Sequence, residues 1–300
     1  MSTSSIYPAW DRLIRYIPQG GSNQVRWGEP ILKDEQSDMA KLSEQGQLQV
    51  KVLEGPNFLD AKPTGQTETV GKLLGPVTAQ DVPIIRCIGL NYKTHILETG
   101  RPLPTCPTIF TKPSPSVADH NEDIPIPVIA QGQCDYEGEL VFVIGKDAKN
   151  VREEDALEYV AAYTVGNDVS ARDWQREPGK AGPVPQWSFS KSFDKYAPVG
   201  PGLVSSRLLG DAGNLDLKTI VNGQVRQHGH TSDLCFGVRK LVAFCSQGQT
   251  LQRGTLVMTG TPGGVGLFMK PPVFLKGGDV VEVEIEKIGR LKNRIVFEKE

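Results

Sequence analysis

The sequence predicts a mixed, β-rich α+β protein, and three features of the chain carry that expectation. Short apolar runs rich in valine, isoleucine and phenylalanine recur at strand length, such as Leu48-Gln49-Val50-Lys51-Val52-Leu53 and Leu140-Val141-Phe142-Val143-Ile144. Turn signals separate them, Asn222-Gly223 being the strongest. Glycine (32) and proline (22) are scattered through the 300 residues without a period, which fits a loop-rich fold with few helices and excludes a collagen-like or low-complexity chain.

Residues 11–60 contain short apolar-alternating pieces, Leu13-Ile14-Arg15-Tyr16-Ile17 among them, and predict a small β-rich N-terminal domain over 1–75. Lys62 to Pro83 is largely polar, with scattered glycines and prolines, and reads as the boundary before a larger domain over 76–300. Ile84 to Gly89 predicts a strand. Asn91 then offers an N-cap for a helix from Tyr92 to Glu98, which Gly100 and Pro102 stop. Pro104 to Pro127, dense in proline, predicts an extended, irregular crossing. A helix is expected to open near Asn150, with Glu153, Glu154 and Asp155 in its first turn, where the helix dipole favours acids. Tyr163 to Asn167 predicts a strand that ends at Asp168. The last third of the chain reads as alternating strands and turns, with strands at Asp216 to Val221, Leu256 to Thr259 and Val280 to Ile288.

Charged residues make up 23% of the chain, the net charge is −2 and the two signs are interspersed, so neither a nucleic-acid surface nor an acidic tail is expected. The five cysteines, Cys87, Cys106, Cys134, Cys235 and Cys245, form no CxxC pair and flank no histidine cluster. They read as buried free thiols in a reducing compartment, not as a zinc site. No run approaches the ~18 apolar residues of a membrane span, and Met1 to Trp10 has neither the basic flank nor the apolar core of a secretory signal. A soluble cytoplasmic protein is expected, with no membrane and no nucleic acid among its partners. A mitochondrial location is the alternative, since several arginines stand in the first ~30 residues, although Asp11 and Glu29 weigh against a transit peptide.

Glu137 and Glu139, in Cys134-Asp135-Tyr136-Glu137-Gly138-Glu139, stand two residues apart at the mouth of an apolar run. Strand side chains repeat every second residue, so both carboxylates should face one way. Two like charges on one patch raise each other's pKa unless a cation lies between them. A solvated strand face is the bland reading of the same spacing. If Asp168 to Gln175 is helical, Asp168, Arg172 and Gln175 fall at i, i+4 and i+7 on one stripe, where they can hold a metal and the oxygens of a small anion. An exposed Asp-Arg helix pair is the ordinary alternative. Three carboxylates with open positions suit Mg²⁺, or Mn²⁺ or Ca²⁺.

His95 and Glu98 share a helix face three residues apart, as a carboxylate-oriented general base would, or as a plain surface pair. Their short helix lies between a glycine and Gly100, ahead of a proline-rich crossing, and has the makings of a lid. His120, His228 and His230 carry weaker signals. Lys191 is a lone cation in a small and aromatic run; it can balance the acids and stabilise an oxyanion, or simply snorkel to the surface. The glycine-rich Thr259 to Gly266 lacks the lysine of a phosphate loop, but lets the Thr261 hydroxyl approach a small ligand.

Together these stretches resemble the fumarylacetoacetate hydrolase superfamily. Gly89-Leu90-Asn91-Tyr92-Lys93-Thr94-His95-Ile96-Leu97-Glu98 looks like its lid motif. Asp135-Tyr136-Glu137-Gly138-Glu139-Leu140 and Gly166 to Gln175 are similar to its metal motifs. Lys191-Ser192-Phe193-Asp194, Thr231-Ser232-Asp233 and Thr259-Gly260-Thr261-Pro262 complete the order, and the resemblance spans about residues 80–298. Within the superfamily the wording looks most like the domain-containing protein 2 branch. The resemblance implies a rolled β-sheet fold, a homodimer, and Mg²⁺ held by Glu137, Glu139 and Asp168. It also implies a His95-Glu98 dyad on a ligand-ordered lid, with Gln175, Lys191 and Thr261 at the substrate. Many members carry arginine where this chain has Leu90, which shifts the anion's charge onto Arg172 and Lys191.

The expected function is that of a Mg²⁺-dependent enzyme acting on a small oxo-acid or 1,3-dicarbonyl acid through an enolate held on the metal. Carbon-carbon hydrolysis of an acylpyruvate or fumarylacetoacetate type, or decarboxylation of oxaloacetate, leads. Catalysis falls to His95, Glu98 and Lys191, and substrate binding to Arg172, Gln175 and Thr261. Keto-enol tautomerisation of oxaloacetate at the same site is the rival. A non-catalytic metal- or ligand-binding scaffold is the remote alternative.

Overall fold

The computed structural model describes residues 7–20, 23–34, 37–98 and 100–299; the side chain of Glu98 lies outside the described residues. The strand Gly138–Ile144 is buried at every position, as a continuous apolar run should be when both faces of its sheet are covered. It pairs antiparallel with Val160–Asn167 and Leu256–Met258. Leu140, Phe142 and Ile144 pack on one side with Leu217 and Val283 of a second sheet. Val141 and Val143 pack on the other side with Ile85, Val199 and Met258.

These strands belong to an 11-stranded sheet. From one edge its order is Arg26–Ile31, Gln49–Glu54, Lys62–Leu74, Arg12–Pro18, Ala197–Ser205, Val160–Asn167, Gly138–Ile144, Leu256–Met258, Ile85–Gly89 and Thr108–Lys112. The sheet closes on itself. Just past the last of these strands, Val117–Ala118 returns to pair in parallel with Ala197–Ser205. A five-stranded sheet, ordered Gln224–His230, Asp216–Val221, Val280–Ile285, Gly289–Phe297 and Asp123–Ile126, packs against the roll. The β-rich α+β expectation holds. The N-terminal strands enclose their own small core of Ile14, Tyr16, Val50 and Val70, and join the main sheet through the pairing of Arg12 with Val204 and Leu13 with Leu203.

Several local expectations are corrected. Lys62–Leu74, read as a polar boundary, is a strand of 13 residues. Its first six residues are exposed on both faces, so pairing with Gln49–Glu54 and Arg12–Pro18, not burial, holds it. The proline-rich crossing contains the strands Thr108–Lys112, Val117–Ala118 and Asp123–Ile126. Its prolines sit beside or at the ends of the ladders, or where a parallel partner leaves their missing donor unused. The segment opening near Asn150 is a 3-10 helix, Glu153–Tyr159. Val238–Cys245, in the part read as strands and turns, is a helix with one buried face. Asn222 and Gly223 take positive φ (50° and 77°) at the predicted hairpin, as a tight turn there requires. Three of the five cysteines are buried as expected, but Cys106 is exposed and Cys235 half-buried. Among the described residues no helix is long and apolar enough to cross a membrane.

Candidate metal centre and active site

Glu137 and Glu139 flank Gly138 at the start of the central strand, where the two sheets approach closely. A Cβ on Gly138 would stand 2.1 Å from Thr219 Oγ1, which accounts for glycine between the two acids. The next strand places Asp168 alongside: Asp168 N donates to Glu137 O at 2.8 Å, and Asn167 Oδ1 accepts from Glu137 N at 2.9 Å. Glu137, Glu139 and Asp168 each offer an oxygen within 4.8 Å of the others. Asp168 is wholly buried, Glu139 1% exposed and Glu137 9%.

Three cations surround these acids. Lys191 Nζ lies 2.8 Å from Glu137 Oε2 and 2.7 Å from Asp168 Oδ2. Arg172 holds Glu137 Oε1 through Nη2 at 2.7 Å and Asp135 Oδ2 through Nε at 2.8 Å, and donates from Nη1 to Gln175 Oε1 at 3.2 Å. Lys112, fully buried, donates to Asp168 Oδ1 and to Tyr196 O. Glu139 differs. Among the described residues it has no cationic partner, and its Oε2 accepts from Gly260 N at 2.6 Å.

Electrostatics separate the two glutamates. Burial pushes the Glu137 carboxyl up, but Lys191 and Arg172 outweigh it and hold the group down to about 2. Burial, then Asp168 and Glu137, push Glu139 well above the ordinary carboxylate range. Burial opposes the Lys191 ammonium, yet Asp168 and Glu137 raise it above its ordinary value. With Glu139 ionised, as a metal ligand must be, Asp135, Glu137, Glu139 and Asp168 against Lys112, Arg172 and Lys191 leave one negative charge in excess. A buried all-oxygen donor set with one repelled carboxylate that no described cation pairs with fits a hard divalent cation. Such a cation would turn the excess positive, which suits an anionic substrate.

A cavity of about 390 Å³ opens over Glu137, and Arg172, Gln175, Lys191, Thr261 and His95 line it. A larger cleft of about 700 Å³, between the N-terminal strands and the five-stranded sheet, contains none of the three converging acids. The candidate site is therefore the smaller cavity. His95 is 6% exposed on the helix Lys93–Glu98, its ring 5.5 Å from that of Phe268. Whether Glu98 pairs with it lies outside the described residues. Thr261 Oγ1 donates to Gly138 O and accepts from Gln227 Nε2 at 2.7 Å, which ties the glycine-rich loop to the strand carrying the acids.

Two expected routes into the site differ. Asn91 does not cap the helix; its side chain donates to Phe236 O and Thr259 O and accepts from Phe236 N, stitching three loops. Asp168 is not on a helical stripe. Ser170–Ala171 pairs with Cys134–Asp135 as a short ladder, and the helix starts only at Arg172. Arg172, Gln175 and Asp168 still converge, through Lys191 and Glu137. Sequence reasoning missed Lys112 and the role of Asp135, whose carboxylate accepts from Gly266 N at 2.8 Å and Leu267 N at 3.0 Å besides pairing with Arg172. The available signal for Lys112 was a cation two residues from Phe110, on the same side of a strand. His228 is exposed, 3.8 Å from Asp216, while His120 is buried away from the cavity lining.

The fumarylacetoacetate hydrolase C-terminal family model matches residues 84–296. This chain belongs to the fumarylacetoacetate hydrolase family. Its curated relatives include the mitochondrial oxaloacetate tautomerase fahd2 of Xenopus laevis, 45% identical over 225 residues, or 75% of this chain and 68% of the relative. The fold matches that of 2-hydroxyhepta-2,4-diene-1,7-dioate isomerase from Mycobacterium marinum, with a TM-score of 0.76 and 32% identity over 96% of this chain and 99% of that one. It also matches fumarylpyruvate hydrolase from Pseudomonas aeruginosa, solved with Mn²⁺ and pyruvate, with a TM-score of 0.64 and 32% identity over 72% and 91% of the two chains. The rolled sheet is thus the fumarylacetoacetate hydrolase fold, the branch is that of domain-containing protein 2, and the chain is an enzyme of a family of hydrolases and isomerases.

Proposed function

We propose that this enzyme interconverts the keto and enol forms of oxaloacetate, or of a close 2-oxo acid, with a divalent cation held by Glu137, Glu139 and Asp168. The observation that carries the reading is the buried convergence of those three oxygens beneath a cavity that also holds a histidine and a lysine. The tautomerase named among the relatives favours this reaction over cleavage. When bound, Mg²⁺ or Mn²⁺ polarises the carboxylate and 2-oxo oxygens and so acidifies the neighbouring carbon.

The chain's own residues supply the rest. His95 takes the proton from C3 and, as the imidazolium so formed, gives one to the 2-oxygen as the enol forms, so no net proton is gained or lost and the histidine ends neutral. Glu98 is the carboxylate proposed to orient it. Lys191 stands where negative charge develops on the oxo oxygen, with Gln175 and Thr261 beside it as hydrogen-bonding groups. Arg172 fixes Glu137 and Gln175 in place. Phe110, Trp187 and Phe268 line the same cavity and limit water near the reacting carbon.

Carbon-carbon hydrolysis is the second reading, favoured by the Mn²⁺- and pyruvate-bound neighbour. There His95 would draw a proton from water instead. Enol absorbance and product mass, followed together on oxaloacetate and on an acylpyruvate with Mg²⁺ or with EDTA, test both. Loss of enol signal without a new fragment supports tautomerisation, and a pyruvate fragment supports cleavage. Full activity of E137A on both substrates would overturn the site.

We further propose a homodimer and a cytoplasmic or mitochondrial location. Exposed Val128, Ile129 and Phe189, near Trp174, supply an apolar patch that a second copy could cover, and light scattering tests that. The division into 1–75 and 76–300 is likewise proposed, and limited proteolysis tests it.

A further inference from the structure

We propose that Arg101 and Arg176 form a distal anion subsite that selects oxo-acids carrying a second carboxylate. The inference rests on the oxo-acid reading of the cavity and assigns to two residues what that reading leaves open.

Charge is distributed unevenly along the cavity. At its inner end the cations are committed: Arg172 is spent on Asp135, Glu137 and Gln175, and Lys191 on Glu137 and Asp168. A substrate's second carboxylate meets no cation there that is not already paired with an acid. Leu90, which also lines the cavity, offers none. Arg101 and Arg176 line the same cavity, both are exposed, and among the described residues neither has an acidic partner. The sequence places them far apart, one just past the lid helix Lys93–Glu98 and one at the end of the helix Arg172–Arg176, yet the fold turns both onto one opening.

An apolar stretch separates the two ends. Phe110, Trp187, Leu267 and Phe268 contribute wall, and the Arg176 guanidinium carbon stands 6.0 Å from the Phe268 ring centroid. That contact holds the side chain on the wall and leaves the edge of its donor fork available. The volume of about 390 Å³ falls within the ~300–1,000 Å³ typical of cavities that bury whole small ligands. A ligand that keeps its oxo-acid head at the acids and reaches past the rings would present its distal group to the arginines. Guanidinium forks grip carboxylates bidentately, and a neutral group of the same shape forfeits that grip.

The test compares 2-oxoglutarate with its 5-methyl ester, which share the open oxo-acid head and the carbon chain and differ in the distal charge. Calorimetry on the Mn²⁺-loaded protein is expected to show at least a tenfold preference for the dianion, on the order of one charge-assisted contact. R101Q and R176Q should each weaken 2-oxoglutarate binding while leaving the 5-methyl ester unchanged, and the double variant should bring the ratio near one. Both side chains are exposed, so fold is checked by melting temperature, and R176K should retain part of the preference. Equal binding of the two acids by the wild type, no binding of the dianion, or a ratio untouched in the double variant would each overturn the subsite. If oxaloacetate is still tautomerised in any of those cases, the oxo-acid reading survives alone. If oxaloacetate is neither bound nor converted, both fall.

Discussion

Lys112 and Asp168 form an ion pair in which neither side chain exposes any surface. Lys112 ends its strand and Asp168 directly follows Val160–Asn167, strands that stand four places apart in the sheet order, roughly 19 Å on a flat sheet at about 4.8 Å per step. That is beyond the reach of a lysine, so the contact exists because the sheet rolls up, and the same roll brings Val117–Ala118 back to Ala197–Ser205. Removing one partner of a buried pair leaves an uncompensated charge and typically costs about 3–5 kcal/mol. K112M should fall in that range when metal-free, with Lys191 still holding the other oxygen of Asp168. Added Mn²⁺ should narrow the gap to wild type, since it supplies positive charge to the same acids. Urea melts with and without metal check this, and a deficit indifferent to metal would show that Lys112 serves packing alone.

Glu139 makes the opposite prediction. It is the one acid of the three without a cationic partner among the described residues, and burial with Asp168 and Glu137 pushes its carboxyl up. E139Q relieves that repulsion, so the metal-free variant should be as stable as wild type or more so. It should nevertheless lose the rise in melting temperature that Mg²⁺ or Mn²⁺ gives the wild type, a rise worth about 2.7 kcal/mol at a hundredfold excess over Kd. The carboxyl must also shed its proton to bind metal, so wild-type metal affinity should increase with pH and release a proton, measurable by calorimetry in two buffers. An E139Q protein that kept the full metal-dependent shift would remove Glu139 from the ligand set.

Much of the site was legible because its acids lie close in sequence or at strand ends. Glu137 and Glu139 bracket a glycine at the mouth of an apolar run, and Asp168 closes the neighbouring strand, so period-two reasoning and strand pairing both point inward. Arg172 and Gln175 were found through a helical spacing that is real only from Arg172 onward. The place was right although Ser170–Ala171 is extended. Lys112 was not legible, because its partners lie 56 and 84 residues away and are selected by the closure of the sheet, which no local pattern records. Lys62–Leu74 was misjudged for a related reason. Hydropathy reports burial, and the exposed first half of this strand is held by backbone pairing with Gln49–Glu54 while its side chains stay in water.

Gly266 links the acidic cluster to the cavity wall. Asp135, the partner of Arg172, also accepts from the backbone of Gly266 and Leu267, in the turn that carries Phe268. A Cβ on Gly266 would lie 2.1 Å from Val273 O and 2.7 Å from Asp135 Oδ1, so the backbone must shift. G266A should cost about 1–3 kcal/mol as an overpacked site. Because Phe268 moves with the turn, KM should rise more than kcat falls. D135N keeps the acceptor for Gly266 N but puts an NH₂ where one oxygen now accepts from Leu267 N and Arg172 Nε, so it should loosen Arg172 from its second acid and lower metal affinity without the steric shift of G266A. Steady-state kinetics and metal titration on the two variants separate the effects; identical profiles would mean that Asp135 does not couple the turn to the centre.

His120 governs a pH response far from the cavity lining. Its Nδ1 accepts from Lys292 N at 3.3 Å, the ring is 2% exposed, and among the described residues Nε2 has no hydrogen-bond partner. Burial holds the imidazole down to about 4 against an ordinary value of 6.5; Asp38 opposes the shift and Lys292 adds to it. The folded pKa is the lower one, so between these values the unfolded chain binds the proton and the folded chain does not. The contribution to stability is therefore full above pH 6.5 and is lost as pH falls toward 4, amounting to about 3 kcal/mol at 1.36 kcal/mol per unit. H120Q retains an acceptor for Lys292 N but cannot titrate. Its stability should decline less steeply than that of wild type between pH 6.5 and 4, with carboxylate effects common to both proteins. Denaturant melts across that window measure the difference, and parallel curves would mean that protonated His120 is accommodated in the fold.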